Sequence, residues 1–254
     1  MTAKPAHATR FKAVISYDGT EYAGYQIQVG SRTVQEELEK AIERVSRQKV
    51  RVYCSGRTDQ GVHARGQVIH FDLEGKIDTR KFCYGLNSVL PEDVRVVSVK
   101  RTAADFDARM SATGKEYRYF IWNHPALAPD VRKYRAHVWK VLDVKAMQEA
   151  AKRLEGRHDF APFSANPGRE IGGTVRTLTR LRVIKRGPEV VIVAAGDGFL
   201  YKMVRSLAGF LLRVGLGELE PHSANDILRA KKRTGVVPTA VPQGLFLWKV
   251  DYGP

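Results

Sequence analysis

Short apolar strands and amphipathic helices follow one another through both halves of this chain, a mixture that restricts it to folds in which helices are laid on a sheet. Ala13-Val-Ile-Ser-Tyr17 reads as a strand, and Asp18-Gly19 ends it as a turn. Thr33-Val-Gln-Glu36 has the form of a capping box, and Val34, Leu38, Ala41, Ile42 and Val45 recur at helical spacing, with Glu36 and Lys40 paired outside. Residues 50–54 and 68–72 read as strands flanking a polar loop, Ser55 to Gly66; a helix over 78–87 and strands over 94–99 and 116–122 follow.

The second half repeats the mixture without repeating the residues. Asp143 is placed to cap a helix running to Glu155 and ended by Gly156, and residues 180–185 and 190–195 flank Arg186-Gly187-Pro188 as a hairpin. Phe199, Met203, Leu207, Leu211 and Val214 mark the apolar face of a long helix, and residues 225–232 and 245–252 suggest a last helix and strand. The expectation is a flexible tail over 1–9, an N-terminal subdomain over 10–107 that holds the polar loop, and a C-terminal subdomain over 108–254.

With 254 residues, 43% of them hydrophobic, the chain can bury a sizeable core. Forty-two Lys and Arg against 27 Asp and Glu leave a charge of +15, which draws polyanions and puts nucleic acid first among partners. The N-terminal residues lack the apolar run of a secretory signal, and no stretch approaches the roughly 18 apolar residues of a membrane span. Two distant cysteines, Cys54 and Cys83, argue against a disulfide framework, and the scattered histidines form no ligand pattern. A cytoplasmic protein without metal, small-molecule cofactor or membrane attachment is expected.

Polar chemistry is densest in Ser55-Gly-Arg-Thr-Asp-Gln-Gly-Val-His-Ala-Arg-Gly-Gln67. On turn preferences alone Asp59 is a turn former and His63 a packed or capping histidine. An Arg, a Thr and an Asp crowded between glycines also suit close approach of backbone to an anionic ligand. Both readings stand on residue types alone.

The chain as a whole resembles the tRNA pseudouridine synthases of the TruA type. Tyr17-Asp-Gly-Thr20, Gly24-Tyr-Gln26, Gln28 and Arg32-Thr-Val-Gln35 are similar to that family's opening signature, and Gly56-Arg-Thr-Asp59 with Gly61-Val-His-Ala64 and Gly66-Gln67 to its catalytic loop. Further stations follow in order: Leu86-Asn87, Ala108-Arg109, Lys115-Glu-Tyr-Arg-Tyr119, His158-Asp-Phe160, Phe199-Leu-Tyr-Lys-Met-Val-Arg205 and Gly244-Leu245. The resemblance implies an α+β fold whose two similar subdomains share a central, mainly antiparallel sheet with a basic active-site cleft between them. It implies a homodimer acting on tRNA, converting uridine to pseudouridine in the anticodon stem-loop.

It also implies roles. Asp59 is the nucleophile, which divides a hard isomerisation into easier steps by attacking either the pyrimidine ring or the ribose anomeric carbon. Arg205 is its ionic partner, although helical periodicity alone sets Arg205 off the apolar face as a solvated charge. Arg57 assists flipping of the base, and Tyr117 stacks on it and takes a proton. His63, Arg109 and Lys115 join Arg57 and Tyr117 as substrate-binding candidates, while Arg65, Arg132, Lys133, Arg169 and Arg176 are available to follow the RNA backbone. Three positions depart from the family pattern: Gln60 in place of a small residue, Tyr25 in place of tryptophan, and Asp107 in place of histidine. The competing readings are a tRNA-binding protein or RNA chaperone that kept the fold but lost turnover, and a weaker one, an RNA hydrolase using Asp59 with His63.

Overall fold

A computed structural model describes residues 8–165 and 172–253. Within them the chain divides into two compact units, one holding the described residues up to Thr113 and the chain from Leu247 onward, the other Gly114–Phe246. Sequence alone drew the line after residue 107 and left the whole C-terminus in the second unit. From Leu247 the last strand falls in the first unit, where the Tyr252 hydroxyl donates to the Ala108 carbonyl at 2.7 Å. Of the tail expected over 1–9, residues 1–7 lie outside the described residues, and Thr9 already pairs with Leu73.

The first unit contains β1 (Thr9–Tyr17), α1 (Val34–Ser46), β2 (Tyr53–Cys54), β3 (His63–Leu73), α2 (Thr79–Val89) and β4 (Val94–Arg101), closed by β10 (Leu245–Tyr252). Its strands run in the order β4-β1-β3-β10, with β2 on β3, and β1 is antiparallel to both β3 and β4. Period-two alternation sends Phe11, Ala13, Ile15 and Tyr17 of β1 into the core, where Phe11 stacks on Phe71 and Phe71 meets Phe82 of α2. Asn87 of α2 serves β4 as a neighbouring strand would, accepting from the Val96 amide and donating to its carbonyl, both at 2.8 Å.

The helix α1 starts where the capping box put it, but by another device. Thr33 is fully buried and its side chain makes no cap. The Val34 and Gln35 amides instead donate to the carbonyls of Gly24 (3.3 Å) and Tyr25 (2.9 Å), so the helix N-terminus is spent on a neighbouring segment. Glu36 pairs with Lys40 as expected. The strand expected from Val68 begins earlier, at His63, because β1 extends the pairing to Tyr17 opposite Ala64 past an irregularity.

The second unit contains β5 (Ala112–Asn123), β6 (Ala136–Val138), α3 (Val144–Leu154), β7 (Gly156–Asp159), β8 (Val175–Arg186), β9 (Glu189–Gly196), α4 (Met203–Gly215) and α5 (Ser223–Arg229). The order β5-β9-β8-β7 is antiparallel throughout, and β6 lies parallel to β5. Asp143 caps α3 through the Ala146 amide, and Gly187 turns the β8–β9 hairpin at φ 58°. Neither β6 nor β7 carries enough alternation to be read from sequence. The helix expected from Phe199 begins at Met203, since Lys202 takes a left-handed φ of 57° just before it. Leu181, Val183 and Ile192 of this sheet are buried with Met147, Ala151, Leu207 and Leu211 of the helices. The α+β class with mainly antiparallel strands thus holds in each unit, and among the described residues no helix is long and apolar enough to cross a membrane.

Candidate active site

The polar loop runs from the end of β2 into β3 and is stapled at its base by one side chain. Gln67, fully buried, accepts from the Ser55 hydroxyl at 2.7 Å and the Val68 amide at 3.1 Å, and its amide nitrogen donates to the Gly56 carbonyl at 2.7 Å. Farther along, the Tyr17 and Thr58 hydroxyls share a buried hydrogen bond of 2.8 Å, and the Tyr25 amide donates to the Thr58 carbonyl at 3.0 Å. A turn follows in which the Val62 amide donates to the Asp59 carbonyl, with Gly61 at φ 73°.

Two glycines let the 18–25 segment press against this turn. A Cβ on Gly19 would come within 2.0 Å of the Val62 carbonyl oxygen. At Gly24, whose φ is 115°, it would lie 3.0 Å from the Thr58 carbonyl oxygen and 3.4 Å from the Asp59 carbonyl carbon. Thr58 is buried, Asp59 half-buried, and Arg57 and Gln60 exposed. The backbone around Asp59 is therefore pinned on both sides.

His63 has no exposed surface. Its Nδ1 lies 3.0 Å from the Gly19 amide and 3.1 Å from the Asp18 carboxylate. That nitrogen either accepts from Gly19 in the neutral ring or, protonated, donates to Asp18. In both states His63 ties the start of β3 to the Asp18-Gly19 turn. Tyr25 is buried beside Tyr17, with ring centroids 6.5 Å apart.

Arg109 is exposed, on a turn held by Asp107, whose carboxylate accepts from the Arg109 and Met110 amides at 2.7 and 2.8 Å. Burial alone would raise the Asp107 pKa, but these amides and the charges of His70 and Arg10 bring it below the ordinary value. The Asp107 carboxylate, at one of the positions that depart from the family pattern, is taken up by its own turn. Arg65 lies over the Trp248 ring at 5.6 Å.

In the second unit Lys115 and Tyr117 lie on β5 opposite Gly196 and Ala194. Tyr117 is buried, its ring meeting Phe199 edge-on at 5.0 Å. Arg205 sits in the first turn of α4, half-buried, and its Nε donates to the Ala240 carbonyl at 2.7 Å. The Ala240 amide in turn donates to the Arg205 carbonyl at 3.0 Å. Tyr119, fully buried, donates to the Val241 carbonyl at 2.9 Å; burial pushes its pKa up, and the Arg205 charge works against that rise. Arg132 and Arg176 donate to nearby backbone carbonyls, and Arg169 lies outside the described residues. Gln67, Gly19 and Gly24 were not assigned roles from sequence; the signal was present in the spacing of glycines around the polar loop and the Tyr17-Asp-Gly turn.

Residues 13–110 and 150–253 match the family model described as tRNA pseudouridine synthase. The chain belongs to the tRNA pseudouridine synthase family. It is 46% identical to tRNA pseudouridine synthase A of Listeria innocua over 248 residues, covering 96% of this chain and 99% of that protein. The Oceanobacillus iheyensis protein of the same name is 43% identical, with 96% of each chain covered, and that of Geobacillus kaustophilus 44%, with 96% and 94% covered. The chain is thus an isomerase of tRNA. The loop signature falls on the turn against which Gly19 and Gly24 pack, and the Tyr17-Asp-Gly-Thr20 signature on the segment that packs there.

Proposed function

We propose that this enzyme isomerises uridine to pseudouridine in the anticodon stem-loop of tRNA, in the cytoplasm and as a homodimer, with Asp59 as nucleophile. The observation that supports it is the seat of Asp59: a turn closed by Gly19, Gly24 and Gln67 that presents one half-buried carboxylate and an exposed arginine, Arg57. A protein that only held tRNA would need the charge but no such seat.

The reaction breaks the bond from uracil N1 to the ribose anomeric carbon and forms one from C5 to that carbon; the proton leaves C5 and N1 ends protonated. Asp59 supplies the transient covalent bond, Arg205 is its ionic partner, and Tyr117 stacks on the base and accepts the C5 proton. Extruding the base costs on the order of a few kcal/mol, and stacking returns roughly 1–3 kcal/mol. Arg57 occupies the space the base leaves. Arg109 and Lys115 hold phosphate, and His63 acts through the loop it ties down. The test is tritium release from tRNA labelled at uridine C5. Release by the natural protein, with none from Asp59→Ala while tRNA binding persists, is the expected result. Equal release from both would overturn the nucleophile, and no release from either on a full tRNA pool would leave a binding protein.

A further inference from the structure

The backbone that orients Arg205 is itself held by an arginine outside the family stations read above. Arg233 is half-buried, following α5, and spreads its guanidinium over four acceptors. One nitrogen donates to the Ser206 hydroxyl at 2.8 Å and the Phe163 carbonyl at 3.5 Å. The other donates to the Val237 carbonyl at 2.9 Å and the Thr239 hydroxyl at 2.8 Å. No carboxylate pairs with it among the described residues, and burial lowers its pKa, so its charge is devoted to neutral acceptors.

Those acceptors lie on both sides of one junction. Ser206 is the residue after Arg205 on α4, and Val237 and Thr239 belong to the loop whose next residue, Ala240, exchanges hydrogen bonds with Arg205 in both directions. The same loop rests on α4 at Gly209, where a Cβ would lie 2.3 Å from the Pro238 carbonyl oxygen, and is tied to β5 by the Tyr119 hydroxyl at Val241. A displacement of this loop moves Ala240, the acceptor of the Arg205 Nε.

We propose that Arg233 is a positioning residue for the isomerisation, clamping the 237–241 loop to α4 so that Arg205 keeps its orientation. The proposal rests on the reading of Arg205 as a catalytic group. A planar fork with several fixed donors suits the task, and lysine, a point charge on a flexible stem, does not reproduce it.

The test is a cycle of Arg233→Lys, Arg205→Lys and the double variant, with kcat and KM for tRNA and the melting temperature measured for each. Arg233→Lys is expected to lower kcat roughly tenfold with KM within about twofold, as for an interaction felt only in the transition state. The double variant should be no slower than Arg205→Lys, because Arg233 acts through Arg205. Multiplying losses, an effect confined to KM, or an unchanged kcat in Arg233→Lys would overturn the proposal. An unchanged kcat in Arg205→Lys would overturn the Arg205 reading first and this one with it. If Arg233→Lys does not fold, Thr239→Val removes one acceptor and keeps the guanidinium: a smaller fall in kcat at constant KM supports the clamp, and an unchanged kcat overturns it.

Discussion

Around Asp59 the supporting chain is brought in by what two glycines lack, whereas Arg205 is held by what a neighbouring loop supplies. Gly19 and Gly24 allow backbone to meet backbone at the Thr58–Val62 turn, Gly19 at a distance no Cβ tolerates and Gly24 in a close approach with a φ of 115° that side chains rarely adopt. Arg205 is oriented by hydrogen bonds to Ala240, within a loop secured by Arg233 and Tyr119. The first arrangement is brittle to added atoms and the second to deleted ones. A short aspartate side chain takes its direction from the backbone, whereas a long arginine side chain is directed only if it is restrained near its end.

The comparison can be broken most directly at Gly19. Gly19→Ala sets a methyl against the Val62 carbonyl with backbone on both sides, so urea denaturation should show a loss of at least about 3 kcal/mol, with activity falling further than tRNA binding. A neutral Gly19→Ala would show that the turn yields, and the seat of Asp59 would lose its rationale. Gln67→Leu comes next. It deletes the hydrogen bonds to Ser55, Gly56 and Val68, and a loss of about 2–3 kcal/mol with reduced kcat is expected from denaturation and tritium release.

Tyr119→Phe sharpens the other side. It removes only the hydrogen bond to Val241, so about 1 kcal/mol of stability and a few-fold of kcat should be lost, well short of Gly19→Ala. The smallest effect concerns acid. Burial lowers the pKa of His70, whose Nδ1 accepts from the Ala108 amide. Below its ordinary value of 6.5 the unfolded chain takes up a proton that the folded ring resists, so stability should decline as pH falls through that region. His70→Gln should flatten the melting temperature between neutral and mildly acid solution; an unaltered slope would assign the decline to other groups.

Elements of strong local pattern were legible at once: the α1 periodicity, the Asp143 cap, the turn at Gly187 and the strand from Leu245 to Tyr252. Elements that depend on partners were not. Nothing in Thr33-Val-Gln-Glu36 reveals that Gly24 and Tyr25 take the amides a threonine cap would have taken, and nothing near Asp107 reveals that its carboxylate serves Arg109 and Met110. His63 illustrates the same limit, since its place in the loop signature marks it without disclosing that it is wholly enclosed.

By itself the amino-acid sequence determined the class of fold, the family and the loop that carries Asp59, because periodicity, turn chemistry and ordered motifs are properties of neighbouring residues. Only the tertiary structure decided how Asp59 and Arg205 are held. Their supports come from residues about 30 to 45 positions away in the chain, as Gly19 and Gly24 do for the Asp59 turn and Ala240 does for Arg205, and such contacts form only when the backbone has folded back on itself.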